Sequence, residues 1–352
     1  MNDRIFDVPF VRGVAVVLPK KSVALETLDF DKDSIKNVMK LSGIYEIRYA
    51  AEDETVSDYC LFAANHLFDE LNFDKSKIDG VVFATPCPDY ISPGSGYIVQ
   101  DKLNLSEKCV VVDINQACVG YVYGLFQAFL MIQCGYCENV LLCVGDVSTK
   151  NLHPKDKAQR MILGDGGSAT LISKGDVGFK SAFDFFSDGK NLKSLYIPAG
   201  GKRMPRKAGV TDVEFTDDQG NIRTLENNFM NGLDVMSFAM NFAPKNVNNV
   251  IENLGWDKDD LDLCVLHQAN KFMVKSVGKR LHIPPERIPF VIEKYGNSGS
   301  TTIPLTLCVE HFKTEKQFDK VVACSFGSGL ACGAVALSLK NTHFCRLMDY
   351  EK

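Results

Sequence analysis

Short β-branched runs alternate along this chain with longer stretches whose apolar residues recur at helical spacing. That alternation predicts a layered α/β fold with mostly buried strands. In the first half, strands are expected near residues 11–18, 80–85, 109–113, 139–145 and 168–173, and helices near 55–72, 93–103, 119–134 and 157–163. Residues 174–226 read as irregular, richer in charge and glycine. The pattern then resumes with a long helix at 228–253, a strand at 261–267 and a helix at 270–281. Strands at 289–293, 319–325 and 332–339 follow, with a helix near 300–312 among them.

The two halves echo each other. Each has a strand that ends in a chemically loaded turn before a helix. Each closes on a glycine-rich turn before a strand, Gly164–Gly167 in the first and Gly327–Gly329 in the second. This weak internal repeat predicts two similar halves, 1–175 and 227–352, joined by a connecting segment at 176–226. No linker is rich enough in proline or serine to separate independent domains, so one shared core is expected.

Composition narrows the classes. With 352 residues, 45% hydrophobic and 24% charged, the chain reads as an ordinary globular protein. A net charge of −5 gives no general attraction for nucleic acid or anionic membrane. No apolar run approaches the roughly 20 residues of a membrane span. The opening residues carry charges and no signal-peptide core, so a cytoplasmic location is expected. Most of the 12 cysteines lie inside apolar strand and helix patterns, Cys143, Cys264 and Cys332 among them, and read as reduced. Cys134 and Cys137 form a C-x-x-C at a helix end, with Gly135 as its cap. No second such pair completes a tetrahedral site, and no metal is expected.

Cys118 is the leading candidate for chemistry. The run Val110–Val112 feeds into Asp113, Ile114, Asn115, Gln116, Ala117 and Cys118, and a helical stretch follows from Tyr121. A thiol at a strand-to-helix turn meets unpaired amides and the positive end of a helix dipole, which favour thiolate. The second loaded turn, Leu266–Asn270, places His267 at a strand end before a helix. Alone, His267 reads more readily as a structural histidine. The third, Tyr295–Pro304, places Asn297 in a Gly/Ser-rich turn that alone reads as turn chemistry. Together, Cys118, His267 and Asn297 supply a nucleophile and two groups able to hydrogen-bond an oxygen, the set that thioester chemistry requires.

Those segments resemble the β-ketoacyl-acyl-carrier-protein synthase III family of the thiolase fold. The resemblance rests on Asp113, Ala117, Cys118, Gly120, Tyr123 and Gly124, then on His267–Asn270, then on Tyr295–Ser298 with Ser300 and Pro304. The glycine loops Gly164–Ala169 and Ser325–Gly329, and Leu41–Ile44 near the start, extend the likeness over roughly residues 10–340. It implies a five-layer αβαβα architecture and a homodimer. It further implies that Cys118 carries the acyl group, its oxyanion held by the amides of Cys118 and Ser328. His267 and Asn297 would hold the carbonyl of a malonyl extender through decarboxylation, and Gly232, Ala269, Asn270 and Phe326 would line the pantetheine tunnel. Acyl-CoA or acyl-carrier protein, with malonyl-carrier protein, would be substrates, and no cofactor is implied.

Several positions depart from the family. Its adenine-stacking Trp corresponds to Asn37, an early Arg to Leu41, an Arg after the histidine motif to Phe272 and a docking Lys to Ser237. A second Arg has no counterpart around Thr149–Asn151. These losses weaken a nucleotide site and argue against an ordinary acetyl-CoA primer. The donor would be an acyl-carrier protein, or a coenzyme A held by Lys202, Arg203, Arg206 and Lys207, which read equally as a solvated loop. Ser92 stands where a partner subunit's aromatic side chain commonly enters the acyl pocket and would leave room for a larger group.

Three rival chemistries and one inert reading are distinguishable. A degradative thiolase needs a second cysteine at the position of Ser325, whereas Cys324 should face away. An HMG-CoA synthase needs an upstream glutamate, where Asp89 is the nearest substitute. A non-condensing acyltransferase would keep Cys118 and pass the acyl group to an alcohol or amine. A non-catalytic partner subunit would lose a member of the Cys–His–Asn set, which is intact here.

Overall fold

The computed structural model describes residues 5–176, 178–218 and 220–352. Two sheets form its frame. The first runs His343–Phe344, Pro9–Leu18, Gly166–Lys174, Asn139–Asp146, Gly80–Ala84 and Val110–Ile114, with Met348–Asp349 also on Pro9–Leu18. The second runs Ile5–Phe6, Ser181–Ser187, Ala331–Ser338, Lys320–Gly327 and Leu263–Leu266.

The expected repeat is visible in the pairing. From Pro9–Leu18 inward the first sheet pairs antiparallel, antiparallel, then parallel. From Ser181–Ser187 the second follows the same sequence of senses. Helix Val56–Leu71 covers the outer face of the first sheet. Helices Gly120–Gln133 and Thr302–Thr314 fill the space between the sheets, and Gly232–Leu254 with Lys271–Leu281 covers the second. The result is five layers, αβαβα.

Position in the stack explains composition. Helix Gly120–Gln133 contacts both sheets and buries Tyr121, Val122, Leu125, Phe129 and Ile132, so it has no polar stripe. The outer helices bury one face each. Helix Gly232–Leu254 starts four residues later than expected because Asn231 caps it, accepting from the amides of Leu233 and Asp234. The preceding Phe229–Met230 pairs with Leu195–Tyr196 instead.

Two expectations are corrected. Residues 289–293 form no strand: Pro289 has no amide to donate, and the buried Gln268 side chain takes the backbone around it. Gln268 Nε2 donates to Pro289 O at 3.2 Å and Gln268 Oε1 accepts from Val291 N at 3.1 Å. The segment 174–226 is also not all irregular, because Ser181–Ser187 is an inner strand of the second sheet. Its buried Asp184 is matched by Asn249 Nδ2 at 2.8 Å, a partner 65 residues away that no local pattern announces. The chain ends also cross between halves, since Ile5–Phe6 joins the second sheet and His343–Phe344 the first.

Candidate active site

Cys118 lies in the turn between Val110–Ile114 and helix Gly120–Gln133, held by a 2.8 Å bond from Gly120 N to Ala117 O. The turn from the second sheet closes over it. A Cβ on Gly327 would stand 2.8 Å from both Cβ and Sγ of Cys118, so only glycine lets this loop approach. The amides of Cys118 and Ser328 both act on the sulfur and favour its charged form. Ser328 Oγ is turned away and donates to Leu195 O at 3.1 Å.

Burial opposes the thiolate expected from the helix terminus. Burial pushes the Cys118 thiol up to about 12, the neighbouring Asp146 adds to this, and the two amides offset it only in part. The helix begins two residues beyond the sulfur, while removal from water acts on the sulfur directly.

His267 continues the parallel strand Leu263–Leu266, its amide donating to Cys324 O at 2.8 Å. The ring is buried, edge-on to Phe326 with centroids 5.6 Å apart. Its Nδ1 lies 2.8 Å from Thr302 Oγ1, which in turn lies 2.9 Å from Gly299 O. Burial lowers the imidazole to about 4, against the opposing pull of the Gly299 carbonyl, so the ring is neutral at pH 7.

Asn297 is anchored by the first half of the chain. Its amide donates to Ile162 O at 2.8 Å and its carbonyl accepts from Gly164 N at 2.9 Å. Its side-chain Oδ1 accepts from Gly299 N at 3.1 Å, which leaves Nδ2 as the open donor. Gly299 has φ +59°, and a Cβ there would collide with the Asp146 carboxylate.

Cys118, His267, Asn297, Phe326, Ser328 and Ala269 line one cavity of about 360 Å³. A second cavity of about 180 Å³ shares Gln159, Leu163, Met230, Val235, Ala269 and Asn297 with it and adds Gly232, Asn270 and Phe272. The expected tunnel residues each line one or other of these two neighbouring cavities. Asn270 also caps helix Lys271–Leu281, accepting from Met273 N at 2.8 Å. An open groove of about 700 Å³ between the outer helices contains Lys245, Lys279 and Arg280 but none of these residues.

The rival residues lie elsewhere. Cys324 turns into the outer core, 4.0 Å from Cys332 Sγ, as alternation along the strand requires. Asp89 binds Ser57 Oγ at 2.6 Å and does not line the cavity. Cys134 and Cys137 bond different carbonyls, those of Met131 and Asp79. Of the four candidate cations, Arg206 faces Glu226 at 3.4 Å, and Lys202, Arg203 and Lys207 are exposed. Leu41 and Phe272 are exposed apolar side chains. His66, Glu70 and Cys345 could together surround a metal ion but line no part of the cavity. Among the described residues, no helix is long and apolar enough to cross a membrane.

Sequence reasoning passed over Thr302 and Asp146. Thr302 lies inside the Tyr295–Pro304 segment, but a threonine at a helix start gives no sign that it touches an imidazole 35 residues away. Asp146 ends a strand, and nothing local shows that its carboxylate approaches the nucleophile.

Comparison with known proteins agrees with this geometry. The family model described as 3-oxoacyl-[acyl-carrier-protein (ACP)] synthase III matches residues 112–189, and its C-terminal counterpart matches 251–339. A putative 3-oxoacyl-[acyl-carrier-protein] synthase 3 of Campylobacter jejuni is 34% identical, covering 99% of this chain and 98% of its own. A β-ketoacyl-[acyl-carrier-protein] synthase III of Clostridioides difficile is 31% identical over 92% of this chain and 96% of its own. The crystal structure of a 3-oxoacyl-(acyl-carrier protein) synthase from Burkholderia xenovorans superposes with a TM-score of 0.91 at 29% identity, covering 98% of each chain.

Two sheets of this topology, with a cysteine, a histidine and an asparagine on one cavity between the halves, define a thiolase-fold condensing enzyme. Within that class, the chain belongs to the 3-oxoacyl-[acyl-carrier-protein] synthase III family.

Proposed function

We propose that the enzyme accepts an acyl group on Cys118 and condenses it with a malonyl thioester borne by an acyl carrier protein. Cys118 sulfur attacks the donor carbonyl, whose oxyanion receives the amides of Cys118 and Ser328. The donor's carbon–sulfur bond breaks, and the departing thiolate takes the proton that Cys118 gives up. The thiol needs no standing negative charge, which accords with its raised pKa.

The malonyl thioester then enters with its carbonyl oxygen toward Asn297 Nδ2 and His267. Loss of carbon dioxide leaves the electron pair on the α-carbon and negative charge on that oxygen. Asn297 Nδ2, and His267 Nε2 once the Thr302 hydroxyl turns to donate to Nδ1, stabilise the enolate in a buried site. The carbanion attacks the acyl carbonyl, the carbon–sulfur bond to Cys118 breaks, the departing Cys118 sulfur takes a proton from water, and a 3-oxoacyl thioester is released. Only thioester substrates take part, and no cofactor or metal is required. The observation that carries this reading is the locked amide of Asn297, whose Oδ1 is held by Gly299 N so that the donor end is left open.

The substitutions at Asn37, Leu41, Ser237 and Phe272 favour a donor other than ordinary acetyl-CoA. A homodimer would place Ser92 of each subunit against its neighbour. The test is acyl transfer to Cys118 by intact mass, followed by carbon dioxide release from malonyl-carrier protein. His267→Ala and Asn297→Ala should each load normally and lose carbon dioxide release by about 100-fold. Wild-type loading without carbon dioxide release, with the acyl group passed to an added alcohol or amine, would replace condensation by simple acyl transfer.

A further inference from the structure

One side of the cavity around Cys118 is built of hydrogen-bonding side chains, although apolar residues such as Leu163, Leu195, Met230 and Phe326 line the rest. Asp146 Oδ1 accepts from Ser148 Oγ and lies 3.5 Å from Cys87 Sγ, and Asn151 Nδ2 donates to that sulfur at 3.4 Å. Gln159 Oε1 accepts from Asn228 Nδ2 at 2.7 Å, and Gln159 Nε2 donates to Asn228 O at 2.8 Å. Asn228 N donates to Asn151 O at 3.2 Å, joining the two groups into one surface. All six residues line the cavity.

The side-chain amides of Asn151 and Asn228 each give one N–H to a protein partner and keep a second, and neither Oδ1 has a partner among the described residues. The wall therefore presents unmatched acceptors together with spare amide donors. An alkyl chain packed against it would strip water from those oxygens and return nothing, whereas a hydroxyl would donate to them. Size bounds the ligand as well. The same cavity of about 360 Å³ must also hold the pantetheine end, which leaves room only for a short acyl group.

We propose that the acyl group received by Cys118 is short and carries at least one hydroxyl, bonded by the Asn151 and Asn228 side-chain oxygens. This rests on the reading of Cys118 as the acyl acceptor. Loading moves the acyl carbon from one sulfur to another, the Cys118 proton leaving with the released thiol, so the hydroxyl takes no part in the chemistry.

The test compares N-acetylcysteamine thioesters of butyrate, 2-hydroxybutyrate and 3-hydroxybutyrate, with acylation of Cys118 followed by intact mass. At least one hydroxyacyl thioester should load about tenfold faster than butyryl. Asn151→Leu should bring that ratio toward one by raising the butyryl rate as well as lowering the hydroxyacyl rate. Butyryl loading as fast as both hydroxyacyl thioesters on the wild-type enzyme overturns the inference and leaves the acyl-enzyme reading intact. Failure of all three to load overturns the acyl-enzyme reading itself.

Discussion

Thr302 Oγ1 stands 2.8 Å from His267 Nδ1 and 2.9 Å from Gly299 O, so one hydroxyl decides which ring nitrogen of His267 carries the proton. While the hydroxyl donates to Gly299 O it accepts from Nδ1–H; turned to donate to Nδ1, it leaves the ring proton on Nε2, where it serves the enolate oxygen. Thr302→Val removes that choice while keeping the shape. Carbon dioxide release from a malonyl thioester should fall about tenfold, with acyl loading of Cys118 unchanged. Equal losses in both half-reactions would show that Thr302 only supports the fold.

The approach of Gly327 to Cys118 makes a second prediction. A methyl at residue 327 would press on Cβ and Sγ of the nucleophile from 2.8 Å, and the strand behind it is fully paired. Gly327→Ala should therefore displace the turn that carries the Ser328 amide. Acyl loading should fall about 100-fold with the circular dichroism spectrum retained. A variant that loads at the wild-type rate would show that this turn yields freely.

The pKa of Cys118 is testable by alkylation. With the thiol pushed up to about 12, it is protonated at pH 7, and the thiolate fraction grows about tenfold per pH unit below that value. The rate of iodoacetamide labelling at Cys118, read by peptide mass, should keep climbing from pH 7 to pH 10. A plateau near neutrality would mean that the amides of Cys118 and Ser328 outweigh burial.

Gln268 supports the site from behind. Its Nε2 donates to Leu266 O at 2.7 Å and to Pro289 O at 3.2 Å, and its Oε1 accepts from Val291 N at 3.1 Å. Gln268→Leu keeps the bulk and leaves those backbone groups without a partner in a buried place. Stability to urea should fall by about 3 kcal/mol or more. A change below about 1 kcal/mol would show that the 289–291 segment re-pairs by itself.

Much of this protein could be read locally. Apolar runs such as Val81–Ala84 and Leu141–Val144 are buried on both faces, so their strands carry their own signature. Cys118, His267 and Asn297 could be picked out because each sits in a turn whose residue types serve both turn geometry and chemistry. Ser181–Ser187 escaped because its buried Asp184 is matched by partners remote in the chain, Asn249 of a distant helix among them. Residues 289–293 misled because their backbone partners belong to a glutamine side chain rather than to a strand.

The sequence alone determined most of the element types, the twofold repeat and the identities of the reactive groups, because these depend on neighbours a few residues away. The tertiary structure alone decided that the reactive groups share one cavity, that burial favours the uncharged forms of Cys118 and His267, and that hydrogen-bonding side chains stand beside them. Each of those properties depends on exclusion of water and on hydrogen-bond partners supplied by segments far apart in the chain, which no local pattern encodes.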